Sequence, residues 1–171
     1  MTTESPEVSI EIHSDLAGSI NYACHQNSVP FLKSLRVRNH GASSVRDLKL
    51  SLEVSPRFAQ SRVWHIARIE PGQELEIFDR KIDLEPQYLS GLNEAERGRV
   101  DLCLLTGNEE LARVISDIRV LARDEWGGFS SGPELLAAFV MPNDPAVSRL
   151  MKKAGEILGR HGHSTALDGY Q

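Results

Sequence analysis

DLKLSLEV, residues 47–54, alternates without a break. Leu48, Leu50, Leu52 and Val54 point one way, and Asp47, Lys49, Ser51 and Glu53 the other. Successive side chains of a strand turn to opposite faces, so this stretch is a strand with one buried and one wet face.

The same period recurs on both sides of it. Val8, Ile10 and Ile12 carry it toward the N-terminus, and Leu35 and Val37 carry it with Arg36 and Arg38 outward. Beyond residue 54 it returns in Leu75–Ile77, Ile82–Leu84, Val100–Leu104 and Val114–Val120. Segment 62–69, RVWHIARI, is apolar on both faces, which suits a central strand. Seven to eight strands with no long helical pattern between them predict a mainly β chain: an immunoglobulin-like antiparallel β-sandwich over residues 1–123.

Turn chemistry falls where the strands need it. RNHGASS offers Asn39 and Gly41 for left-handed backbone, IEPGQE offers Pro71 and Gly72, and LTGNEELA puts Gly107 and Asn108 between the last two strands. Residues 13–31 alternate weakly, and residues 86–97 predict one helical turn with Asn93 as its cap.

The period changes after Arg123. In GPELLAAFV, Pro133 opens a helix that Pro142 closes near Met141. A second helix comes next, with Asp144 as cap, Pro145 in the first turn and Gly162 as C-cap. Its apolar stripe is Val147, Leu150, Met151, Ala154, Ile157 and Leu158. Residues 124–162 are thus a two-helix appendage, and residues 163–171 a linker or tail at a truncated end.

Composition narrows the class. With 171 residues, 40% hydrophobic and 25% charged, the chain suits one soluble domain with a small addition. No apolar run approaches the roughly 20 residues of a membrane span, and the acidic, polar N-terminus is unlike a signal peptide, so a cytoplasmic location without membrane contact is expected. Cys24 and Cys103, each in a strand-like apolar context, are too few for a disulfide framework and are expected as buried, reduced thiols.

Charge is uneven along the net −5 chain. Residues 70–96 hold eight acids against Arg80 and Lys81, whereas residues 146–163 hold Arg149, Lys152, Lys153 and Arg160 against Glu156. That contrast, with Trp126 in DEWGG, makes Trp126, Arg149, Lys152, Lys153 and Arg160 the candidate interface. The favoured reading of Trp126 is an anchor that fastens the appendage to the sandwich while Gly127 and Gly128 let the backbone turn.

Catalytic motifs are missing. The chain contains no GxxxxGK[ST], GxGxxG, GxSxG, HExxH or CxxC. Cys24–His25 and His161-x-His163 lack zinc-ligand spacing, so no metal and no cofactor are expected. Asp101 and Asp117 read as exposed strand carboxylates. Aromatic residues make up only 6% of an acidic chain, so direct nucleic-acid contact is not expected.

SINYACHQNSVPFLKSLRVRN, ARIEPGQE, LARDEWGG, PELLAAFVMPNDPAV and ALDGYQ together resemble the N-terminal region of very large bacterial proteins related to superfamily 1 DNA helicases. The resemblance covers nearly the whole chain and is most specific from Trp126 to Val147. It implies a continuation with a transglutaminase-like segment, a helicase motor and an endonuclease-like domain, which would hold the ATPase and nuclease activity. It gives these 171 residues no catalytic role. The expected function is a non-catalytic accessory module, not an enzyme, that contacts downstream domains of the same polypeptide or a protein partner. The alternative is a stand-alone adaptor that takes a peptide at a sheet edge. Oligomeric state is left open.

Overall fold

The computed structural model describes residues 9–128 and 145–162, and the chain divides into two compact units, Met1–Leu136 and Ala137–Gln171. The expected helix over 133–141, Val8, Asp144 and the tail over 163–171 lie outside the described residues.

The first unit is mainly β. Its elements are β1 (Ile10–Leu16), β2 (Ser19–Ile20), α1 (Tyr22–Gln26), β3 (Leu32–Asn39), β4 (Val45–Ser55), β5 (Arg62–Ile69), β6 (Glu74–Glu76), α2 (Pro86–Gly91), β7 (Glu96–Thr106) and β8 (Glu109–Val120). They form a three-stranded sheet, β1-β3-β6, and a five-stranded sheet, β2-β8-β7-β4-β5. Every pairing among these strands is antiparallel except that of β2 with β8.

The alternation of DLKLSLEV places the core. Leu48, Leu50 and Leu52 are buried, and Leu50 lies opposite Trp64 on β5 and Leu104 on β7, so one apolar row crosses three strands. Ile12, Leu35 and Val37 of the other sheet join the same core. Each fully buried aliphatic side chain contributes about 1.5–3 kcal/mol of transfer free energy.

At Gly98 on β7 a side chain has no room. A Cβ there would lie 2.7 Å from the Phe58 ring and 2.9 Å from both Ile118 and Val120. Phe58 is itself buried edge-on against Phe31, with ring centres 5.9 Å apart.

Several expectations are corrected. Ile82–Leu84 is not a strand: its one ladder contact is an isolated bridge from Leu84 to Ala59. Strand β5 is an edge strand, and its apolar outward residue Val63 is 43% exposed, so apolar residues on both faces do not signify a central position here. Neither Asn39 nor Gly41 has positive φ; Ser28 and Asp47 do. Asn39 is instead fully buried and organises its turn by side-chain bonds, donating to the Ser43 and Ile69 carbonyls and accepting from the Gly41 amide. The short helix over 86–91 starts at Pro86, after Glu85, and Asn93 lies beyond its end. Cys24 sits on α1 and not on a strand.

Other readings agree with the structure. Gly72 and Gly107 take positive φ, and Gly107–Asn108 is the two-residue β7–β8 loop. Both cysteines are buried and unbridged. No helix among the described residues is long and apolar enough to cross a membrane.

The second unit contains α3 (Pro145–Arg160), followed by a turn in which Gly162 takes φ 75°. Its last turn is closed by the His161 amide, which donates to the Ile157 and Leu158 carbonyls.

Candidate functional site

A large cavity of the first unit arises where β6 stops. Pairing of β3 with β6 covers only Arg36–Arg38 and Glu74–Glu76, and ends with the Ile77 amide donating to the Leu35 carbonyl. The chain then turns sharply. The Arg80 amide donates to the Phe78 carbonyl, and the Arg80 guanidinium to the Ile77 carbonyl at 2.8 Å.

Side chains of β5 hold the residues after this turn. Trp64 Nε1 donates to the Asp79 carbonyl at 2.7 Å, and Arg62 donates to the Lys81 carbonyl and to the Asp79 carboxylate. The Arg62 guanidinium also lies 5.6 Å from the Trp64 ring centre. Farther on, the Gln60 amide donates to the Asp83 carbonyl and the Glu85 amide to the Phe58 carbonyl. Residues 79–85 are thereby fastened toward β5 and away from β3.

A cleft of about 660 Å³ results, lined by α1, the start of β3 and the 78–84 segment. Phe31, Leu32 and Leu84 are buried in its floor, while Phe78 is 79% exposed. Lys33, Arg80 and Lys81 line it against a single carboxylate, Asp83. Lys81 is 3.5 Å from Asp83 with both side chains largely in solvent, a pairing worth little. This volume lies in the range of pockets that take ligands or single anchoring side chains.

The acidic run over 70–96 is largely neutralised by the fold. Glu70 pairs with Arg68, Glu74 with Arg36, Glu76 with Arg80, Asp79 with Arg62 and Asp83 with Lys81. Three of these cations come from other strands, so a sum over sequence neighbours overstates the local field.

Asp101 and Asp117 do have partners. Arg113 on β8 donates to Asp101 at 2.7 Å, to Glu110 at 2.7 Å and to Cys103 Sγ at 3.4 Å; Arg97 lies 3.8 Å from Asp117. The Arg113 hydrogen bond holds the Glu110 carboxyl below its usual range. Burial pushes the Cys103 and Cys24 thiols up, so neither is a ready thiolate nucleophile at neutral pH. Among the described residues no group of three or more His, Cys, Asp or Glu is arranged to hold a metal ion.

The five interface residues expected from sequence fall in different units. Trp126 is half-buried in the first, where it lines a small recess with Ser19, Ile20, Asn21, Cys24 and Leu121. Next to it Asn21 donates to the Glu125 carbonyl at 2.8 Å, which fixes the chain beside α1.

Arg149, Lys152, Lys153 and Arg160 are all exposed on α3. At 100° per residue they gather on the side opposite the apolar stripe. Two residues of that stripe are open, Leu150 at 69% and Ile157 at 46% exposure, while Val147, Met151, Ala154 and Leu158 are half-buried.

The sequence carries no signal for the cleft beyond the apolar residues Ile82 and Leu84, whose alternation predicts a strand instead. The chain matches no protein-family model and no curated protein.

Proposed function

We infer that this chain is a non-catalytic accessory module that works through protein contact, within or beside a large helicase-like DNA-processing protein. The observation that carries this reading is α3. A helix of this length is marginal in water unless its apolar face is covered, and Leu150 and Ile157 of α3 stand open to solvent while Arg149, Lys152, Lys153 and Arg160 form a basic face behind them. An apolar stripe backed by cations suits a helix that lies in an apolar groove with acidic margins. The partner is a downstream domain of the same polypeptide or a separate protein.

Residues 1–123 are read as an immunoglobulin-like sandwich that supports this contact. In favour is the strand order β1-β3-β6 against β2-β8-β7-β4-β5, with the chain passing from one sheet to the other between β1 and β2, and β2 running parallel to β8.

Two measurements test the function. The purified chain with magnesium and ATP is expected to release no phosphate above buffer; turnover that follows the protein through purification contradicts a non-catalytic role. The polypeptide encoded after Gln171 is expected to bind the chain, and Leu150→Glu with Ile157→Glu to weaken that binding by more than roughly tenfold, since two apolar contacts of about 1–2 kcal/mol are lost. A reading frame that stops at Gln171 removes the covalent form of the proposal.

A further inference from the structure

Along α3 (Pro145–Arg160) one pattern repeats after a heptad. Leu150 is followed by Lys153, and Ile157 by Arg160, so an apolar residue and a cation recur at the same spacing. A heptad is close to two helical turns, which stacks Leu150 with Ile157 and Lys153 with Arg160 in two parallel rows. Residues three apart lie about 60° from each other round the axis, so the rows are neighbours.

Both rows are open. Leu150 is 69% and Ile157 46% exposed, and Lys153 and Arg160 are exposed beside them. On the other flank Val147, Met151, Ala154 and Leu158 are half-buried. The open apolar surface is therefore a seam one side chain wide. A helix that lies in a lipid surface immerses a broad apolar face, whereas a narrow seam is the strip that one helix offers to another.

Charge selects the partner. Among the described residues Arg149, Lys152, Lys153 and Arg160 enter no ion pair. Glu156 is the only acid between Pro145 and Arg160. A second copy of the helix brings the same cations and no row of acids to meet them.

We propose that α3 pairs side by side with one helix of a partner protein, a helix whose apolar residues repeat by heptads and whose flanking positions carry Glu or Asp opposite Lys153 and Arg160. Leu150 and Ile157 enter the holes between the partner's apolar side chains, and the two cations close the edge of the seam. Apolar packing supplies affinity, and the charges select the partner and its register. This pairing rests on the contact role of α3 and specifies the shape and charge of the other side.

The probes are two blocked three-heptad peptides, Ac-(EIAALEK)3-amide and Ac-(KIAALKE)3-amide, which share an apolar seam and differ in the sign of its flanks. Each is titrated to roughly 1 mM into the isotope-labelled full chain and followed by amide NMR. The acidic peptide is expected to bind, with the largest shifts on α3, and the basic peptide at least roughly tenfold more weakly. Lys153→Glu with Arg160→Glu should reverse that order. Leu150→Gln with Ile157→Gln should weaken the acidic peptide at least roughly tenfold. All four positions are exposed, so both variants should keep the parent melting temperature within about 2 °C.

Equal binding of the two peptides, or no binding of the acidic one by roughly 1 mM, overturns the pairing. Binding to phosphatidylserine vesicles without peptide binding overturns it in favour of a lipid surface. A dimer of the chain alone that Leu150→Gln with Ile157→Gln dissolves overturns it in favour of a second copy. Fully protected α3 amides in the free chain end the contact role itself; with α3 unprotected and the acidic peptide unbound, the pairing alone fails.

Discussion

Trp64 Nε1 lies 2.7 Å from the carbonyl oxygen of Asp79, and this bond ties the irregular 78–84 wall to strand β5. The indole is 8% exposed and packs opposite Leu50, so its polar edge leaves the core at the point where the wall passes. Packing and wall position are thus set by one side chain.

Trp64→Phe keeps an aromatic in the core but removes the donor. The expected loss is about 1–2 kcal/mol in urea unfolding, with faster amide exchange over residues 79–83. Unchanged exchange there contradicts the role given to this bond.

Asn39→Ala should cost more, about 2–3 kcal/mol, because the buried amide serves two carbonyls and one backbone N–H that then lose their partner. Asn39→Asp should not rescue, since a carboxylate cannot donate to the Ser43 and Ile69 carbonyls. Denaturant midpoints for both variants check this, and a wild-type midpoint for either contradicts it.

Gly98→Ala is expected to destabilise by about 1–3 kcal/mol through overpacking against Phe58, Ile118 and Val120. Phe58→Leu in the same chain should recover part of the loss by making room, and strict additivity of the two costs speaks against direct contact.

Glu11 on β1 receives hydrogen bonds from His40 at 2.8 Å and His13 at 3.2 Å, and the bond from His40, followed by the charges of both rings, holds its carboxyl below the ordinary 4.5. A carboxyl depressed in the folded state adds stability that is complete above the unfolded value and is lost as pH falls through the folded one. The stability difference between wild type and Glu11→Gln should therefore shrink as the pH falls below the ordinary carboxylate value of 4.5. The carboxyl is exposed, so the effect is small. An NMR titration midpoint for Glu11 at or above 4.5 contradicts the assignment.

What sequence shows here depends on the range of the interaction. Leu48, Leu50 and Leu52 announce β4 because burial on one face imposes period two on the strand itself, and Gly72 and Gly107 announce their turns because positive φ is a local demand. The stripe of α3 is legible for the same reason, and so are its basic residues. Ile82 and Leu84 mislead, since alternate apolar residues also line a wall that is held by Trp64 and Arg62 from a distant strand. Edge and centre look alike at β5, where Val63 stays in solvent. The cleft is invisible because it arises from the early end of β6, a fact of three-dimensional pairing that no spacing along the chain encodes.

Hydrogen exchange across Pro145–Arg160 tests the contact role of α3 most directly. In the purified chain alone these amides should exchange nearly as fast as an isolated helix allows, and on addition of the proposed partner, a downstream domain where the reading frame continues or otherwise a separate protein, they should slow at least roughly tenfold, with Leu150→Glu and Ile157→Glu abolishing the change. Full protection of α3 in the chain alone, or no slowing when a partner bound by the chain is added, would contradict the account.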